Sequence, residues 1–310
     1  MANLIASATH IAGRNKRYVV WFYLMNLLLA LIGSVAFSAN AHGILDHSLY
    51  ADQLLHGFNL GAFIELLARP EFGPLSTSAI PAAMLAFVFF FLTMVFLPGV
   101  FLGYASDHRI SRDEFYRTCG HNVWRFVRIF FFFLLIAGPT AAILFGIQKG
   151  LLKLADTSTY EKAYFYTHVA CMIVIFIILT AIRAWFDLAE SDVVVSDRSA
   201  VRKSIASGFR TTRRNGGRLL GSYVVIGVVA GITLFVGLAL WEMIVPPGSV
   251  LGAFIVSQAI LLLLLASRFW QRAAAVSLYL QQQAEVPLLE ATPVRAPVTE
   301  VPVAPQVSGT

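Results

Sequence analysis

Six apolar runs, each about 20 residues long, constrain this chain more than any other feature. They occupy residues 18–38, 79–102, 127–147, 163–186, 219–244 and 251–269. A helix of about 20 apolar residues is long enough to cross the ~30 Å hydrocarbon core of a bilayer. In lipid every backbone N–H and C=O must be bonded within the protein, and a helix does this by itself. The last two runs are separated only by Val245-Pro246-Pro247-Gly248-Ser249-Val250, which reads as a tight hairpin. The chain has 310 residues, 58% hydrophobic and 13% charged, whereas a soluble domain is roughly a quarter charged. The expectation is an all-α, polytopic transmembrane helix bundle with about six spanning helices.

The distribution of Lys and Arg orients it. Suppose the N-terminus lies inside. Of the 23 basic residues, all but Arg69, Lys149, Lys153 and Lys162 then fall in inner segments. The positive-inside rule therefore predicts that both termini are cytoplasmic. In a soluble protein the net charge of +6 would suggest nucleic acid. Here the membrane accounts for it, and no nucleic-acid partner is expected. Residues 1–17 read as a cytoplasmic N-terminal segment and residues 18–280 as the transmembrane domain. Residues 281–310, punctuated by Pro287, Pro293, Pro297, Pro302 and Pro305, read as a disordered cytoplasmic tail.

Ala39-Asn40-Ala41 has the small-x-small form of a signal-peptidase site. The apolar run before it exceeds the 7–15 residues of a signal-peptide core, so a retained anchor is expected. The outer loop at 39–78 carries Leu54, Leu55, Phe58, Phe63, Ile64, Leu66 and Leu67 at helical spacing before Arg69-Pro70. That pattern predicts a helix lying on the outer surface.

The middle of the chain reads as a duplicated hairpin. The second and third runs flank one basic inner loop, and the fourth and fifth flank another. Ser106-Asp107 and Ser196-Asp197 recur 90 residues apart.

The second of these loops is the richest in candidates. Ser196 or Asp197 is suited to cap a helix start. At 100° per residue Val201, Ile205, Gly208, Phe209 and Thr212 share one face, and Arg202, Lys203, Arg210, Arg213 and Arg214 the other. A basic amphipathic helix of this kind suits anionic lipid headgroups at the inner leaflet, or a membrane or cytoplasmic protein partner. In the first loop Ser111 and Glu114 have capping-box spacing. His121, Trp124, Arg125 and Arg128 follow as interfacial anchors.

At the end of the fourth run Arg183 and Asp187 are four apart, and Asp187 and Glu190 three apart on the same face. Two neighbouring carboxylates can hold a cation or divide acid and base roles. Among so many arginines, ion-paired structural carboxylates are favoured over an enzyme working at the inner interface.

Other chemistry finds little support. His42, Asp46, His47, Asp52 and His56 in the outer loop match no zinc spacing. His121 and His168 fall at opposite ends of their runs and cannot share a haem. Cys119 and Cys171 lie near opposite faces, too far apart for a disulfide, and read as small apolar fillers. No metal or cofactor is expected. The chain has no Walker motif, Gly-x-Ser-x-Gly, HExxH or CxxC. No charged residue sits centrally in a run, and Asn26, Thr180 and Gln258 are among the few polar groups there. A transporter passing a small molecule or lipid between the two hairpins is thus the alternative reading.

The stretch from Ser196 to Ile226, including Asp197-Arg198-Ser199-Ala200-Val201-Arg202-Lys203-Ser204-Ile205, Arg213-Arg214-Asn215 and Leu219-Leu220-Gly221-Ser222-Tyr223, resembles poorly characterised bacterial six-helix membrane proteins. It is also similar to the membrane domain attached to some glycerophosphodiester phosphodiesterases. The soluble phosphodiesterase barrel has no counterpart in this sequence. The resemblance implies a helical bundle in a bacterial inner membrane, and no activity. Together these readings favour a non-enzymatic scaffold or lipid-associated membrane component.

Overall fold

The computed structural model describes residues 2–45, 75–157, 160, 162–246 and 249–290, with side chains over 2–35, 83–157, 160, 162–246, 249 and 251–284. Every element among them is a helix: α1 (Ala2–Arg14), α2 (Lys16–Leu45), α3 (Leu75–Ala105), α4 (Arg112–Asp156), α5 (Ala163–Val195), α6 (Val201–Ile244) and α7 (Val250–Glu290). Six of them, α2 to α7, are long and apolar enough to cross a membrane. The chain is a multi-pass helical membrane protein.

Three boundaries differ from the sequence reading. The 1–17 segment contains a helix, α1, whose Leu4, Ala8 and Ile11 recur at helical spacing and are buried. It packs on α7, where Ser277 Oγ donates to Ser7 Oγ at 2.8 Å. At the other end α7 continues through residues 281–290, which were assigned to a disordered tail. Gln281 and Gln283 are engaged there with α6 and with the end of α5, so the helix is held beyond its apolar run. The outer loop is shorter at both ends, because α2 extends to Leu45 and α3 begins at Leu75. The surface helix expected at 54–67 and the tail beyond 290 lie outside the described residues.

The helix junctions are stitched by polar side chains. Asn15, between α1 and α2, donates from Nδ2 to Ile11 O and to Gly103 O, both at 3.2 Å. Arg14 reaches the α3–α4 loop, donating to Ser106 O and Asp107 O. Ser111 caps α4 as its spacing predicts, its Oγ accepting from the Glu114 N–H at 3.1 Å. The expectation for α6 is overturned. Its N-cap position is Ala200, without a side-chain bond, and Ser196 instead closes the end of α5. Asp197 takes the left-handed conformation, φ 47°, which short polar side chains tolerate better than most. The two hairpins do share one detail. α3 and α5 end on the residue before Ser106 and Ser196, at the same 90-residue offset.

α5 is the hub and packs against α3, α4, α6 and α7. The close α5–α6 approach needs Gly208. A Cβ there would lie 3.0 Å from Trp185 O and 3.1 Å from Ala189 N, both backbone atoms that cannot swing away. The core gathers at the end of the bundle where α1, the α3–α4 and α5–α6 loops and the end of α7 meet. It includes Phe101 and Tyr104 of α3, Phe126 and Ile129 of α4, Leu188 and Ala189 of α5, Tyr223 and Ile226 of α6, and Ala273 to Val276 of α7. Towards the other end large apolar side chains stand open, among them Phe235 (76% exposed) and Met243 (82%). Such surface is the normal outer face of a helix in lipid.

Candidate functional site: the basic end of the bundle

The five cations expected on the α6 face, Arg202, Lys203, Arg210, Arg213 and Arg214, are all exposed. Val201, Ser204, Ile205 and Gly208 are buried on the opposite side. The 100° spacing therefore separated the two faces, except that Phe209, expected on the covered one, is 50% exposed and Thr212 is half-buried. What covers the apolar face is α5. Trp185 Nε1 donates to Ile205 O at 2.8 Å, and the Trp185 and Phe209 rings meet with centroids 5.0 Å apart. Non-helical φ/ψ of −116° and 21° at Asn215 separate this basic segment from the span that follows. The segment lies against the bundle and turns its charge outward. Among the described residues no carboxylate forms an ion pair with any of the five.

Beneath that face runs a polar seam along α5. Asp187 is buried and accepts from Tyr223 Oη of α6 at 2.7 Å, with Arg183 Nε 3.9 Å away. Gln271 of α7 donates to Tyr223 O at 3.3 Å, which ties the third helix into the same knot. Glu190 lies within the electrostatic reach of Asp187, Arg183 and Arg272. Its Oε2 is buried without a hydrogen-bond partner, as are Arg272 Nε, Gln271 Oε1 and Tyr104 Oη. One helical turn further on, Tyr279 of α7 donates to Asp192 Oδ1 at 2.7 Å, and Arg198 lies 3.5 Å from Asp192 Oδ2. The Ser196 hydroxyl meets Tyr279 Oη at 2.6 Å. Tyrosines from two helices thus each donate to a carboxylate on α5. Buried charges left unpaired are costly, so these pairs fix how α5, α6 and α7 rotate against one another. The structure brings Asp187 and Glu190 together, as their spacing requires, and engages Asp187 as a helix-to-helix fastener.

The α3–α4 and α5–α6 loops are joined by charge as well. Arg125, read from sequence as an interfacial anchor, donates to Asp197 Oδ1 across the hairpins, and His121 Nε2 lies 3.3 Å from the same oxygen. The bond from Arg125 holds the Asp197 carboxylate below its ordinary value of 3.8, and His121 adds to the effect. Trp124 does face outward, with the Arg128 guanidinium 5.7 Å over its ring.

Sequence reasoning missed Tyr223, Arg272, Gln271, Tyr279 and Asp192. The signal was thin. Arg268 and Arg272 have the i, i+4 spacing of one helix face, and Asp192 extends the acidic row of Asp187 and Glu190. Several polar side chains within the spans are used locally. Thr93, Thr233 and Ser257 donate to carbonyls of their own helices, and Gln258 Oε1 accepts from Tyr23 Oη at 3.1 Å. Both cysteines are free thiols, Cys119 buried and Cys171 half-buried. Among the described residues no three His, Cys, Asp or Glu side chains converge on a possible metal position. The outer-loop His and Asp side chains lie outside the described residues. No protein-family model, curated protein or solved structure matches the chain.

Proposed function

We propose that this chain is a non-enzymatic, lipid-associated protein of a bacterial inner membrane. In this reading both termini are cytoplasmic, and the packed end holds anionic phospholipid headgroups against the basic face of α6. The observation that carries the reading is the set Arg202, Lys203, Arg210, Arg213 and Arg214, exposed together, without an ion pair to a carboxylate among the described residues, on a helix whose other face is already covered by α5. Each basic residue near an anionic leaflet contributes on the order of 1 kcal/mol. Five on one rigid face therefore give a strong preference for anionic over zwitterionic lipid. The orientation rests on the positive-inside rule, and the location also on the resemblance to bacterial six-helix membrane proteins.

Native mass spectrometry of the protein released from nanodiscs of mixed phosphatidylglycerol and phosphatidylcholine tests the idea. Wild type should retain phosphatidylglycerol in clear excess. The triple variant Arg210→Glu, Arg213→Glu, Arg214→Glu should lose most of that excess. Equal lipid retention by the two proteins would sink the reading. A stoichiometric acidic protein retained on the same face would replace lipid with a protein partner.

A further inference from the structure

A second feature, which shares no lining residue with the α6 face, is a graded groove between α2, α3 and α4. Its mouth is a cavity of about 210 Å³ lined by Arg17, Tyr18, Trp21, Ser111, Arg112 and Tyr116, among others. Tyr18, Trp21 and Phe115 also line an adjoining cavity of about 340 Å³. The rest of that second lining is Phe22, Leu24, Met25, Leu28 and Phe96, without a charged residue. Gly99 makes room for its wall, since a Cβ there would lie 2.4 Å from the Phe115 ring.

We infer that this groove seats one membrane phospholipid, with its phosphodiester between Arg17 and Arg112 and one acyl chain in the apolar part. Three observations favour this occupant. The first is charge. Arg17 and Arg112 both line the mouth, and among the described residues neither forms an ion pair with a carboxylate. Arg17 is positioned by a 2.9 Å bond to Tyr18 Oη, with its guanidinium 4.8 Å from the centre of that ring. Ser111 Oγ accepts from Glu114 N–H, and its own proton is left to donate to a phosphate oxygen. The second is length. Arg17 to Leu28 spans about 16 Å of helix at 1.5 Å per residue, about half of a ~30 Å hydrocarbon core. The groove is thus one leaflet deep. The third is access. Trp21, Leu24 and Leu28 are exposed, so the groove opens sideways to the lipid that would fill it.

Photocrosslinking decides the matter. The full chain would be reconstituted in nanodiscs containing a phospholipid with a diazirine in its acyl chain, and labelled residues mapped by mass spectrometry. Parallel samples would use this acyl-chain probe in phosphatidylglycerol or in phosphatidylethanolamine, which share the phosphodiester. Labelling should concentrate on Leu24, Met25, Leu28 and Phe96, several-fold above lipid-facing Ile173 and Ile177 of α5. Arg17→Gln with Arg112→Gln should remove most of that excess, and so should Met25→Trp, which fills the channel and leaves the charges in place. Labelling of both probes would assign recognition to the phosphodiester, and labelling of one alone to that headgroup. The α6 triple variant should leave groove labelling unchanged, which separates this site from the headgroup face. Uniform labelling of all spans, or labelling indifferent to both groove variants, would overturn the inference.

Discussion

The two halves of this bundle are built differently from the same helices. At the basic end α1, the α3–α4 and α5–α6 loops and the end of α7 enclose aromatic and aliphatic side chains almost completely, and three helices are pinned by tyrosine–carboxylate bonds. Towards the opposite end the helices turn Phe235, Met243, Leu251 and Leu154 outward. Apolar character is no guide to which half is which, because lipid tails are as apolar as leucine and supply no force to bury it. The packed end is specified by shape and by polar pairing. The open end relies mainly on apolar contact, with local exceptions such as the buried Gln148, 3.4 Å from His168 Nδ1.

That contrast is open to attack. The largest expected difference is between truncations at the two ends. Leu188→Ala removes a side chain only 1% exposed and should destabilise by about 2–5 kcal/mol. Phe235→Ala, at 76% exposure, should stay within about 0.5 kcal/mol. Unfolding in mixed micelles with rising denaturing detergent measures both, and similar losses would erase the distinction between the halves. A smaller effect sharpens it. Tyr223→Phe keeps the packing and removes the donor to Asp187, leaving a buried carboxylate short of a partner at a cost of about 1–3 kcal/mol. If Tyr223→Phe proves neutral in the same titration, the polar seam is not a fastener.

The smallest effect concerns the loops. Asp197 has its folded-state carboxylate value depressed by Arg125. Its contribution is therefore complete above the ordinary value of 3.8 and is lost as pH falls below it towards the depressed value. Proteolytic nicking of the 196–200 loop should rise over that acidic range in wild type. In Asp197→Asn it should start higher and stay flat. A wild-type rate constant over the range would show that the Arg125 contact does not hold the loop.

Much of this was legible in the sequence, and the reason is locality. The apolar runs and the two faces of α6 are set by periodicities within a single helix, so reading along the chain recovers them. The capping Ser111 is equally local. Tyr223 and Asp187 are 36 residues apart, and Tyr279 and Asp192 87. Their meeting depends on how helices rotate against each other, which no local period encodes. The basic flank at Arg14 to Arg17 drew attention to topology and away from Leu4, Ala8 and Ile11, whose spacing already described α1. Ser196 and Asp197 misled for a related reason. A short loop can close one helix or open the next, and its residue types suit both tasks.

The contact between Ser7 and Ser277 spans 270 residues. A ribosome emits α1 well before the end of α7, so the segment that seals the packed end must wait for the synthesis of the 270 residues that separate it from its partner. Until then the buried face of Leu4, Ala8 and Ile11 has no finished protein surface to rest on. The α1–α7 contact can therefore close only after α7 has been made, later than the insertion of the earlier spans.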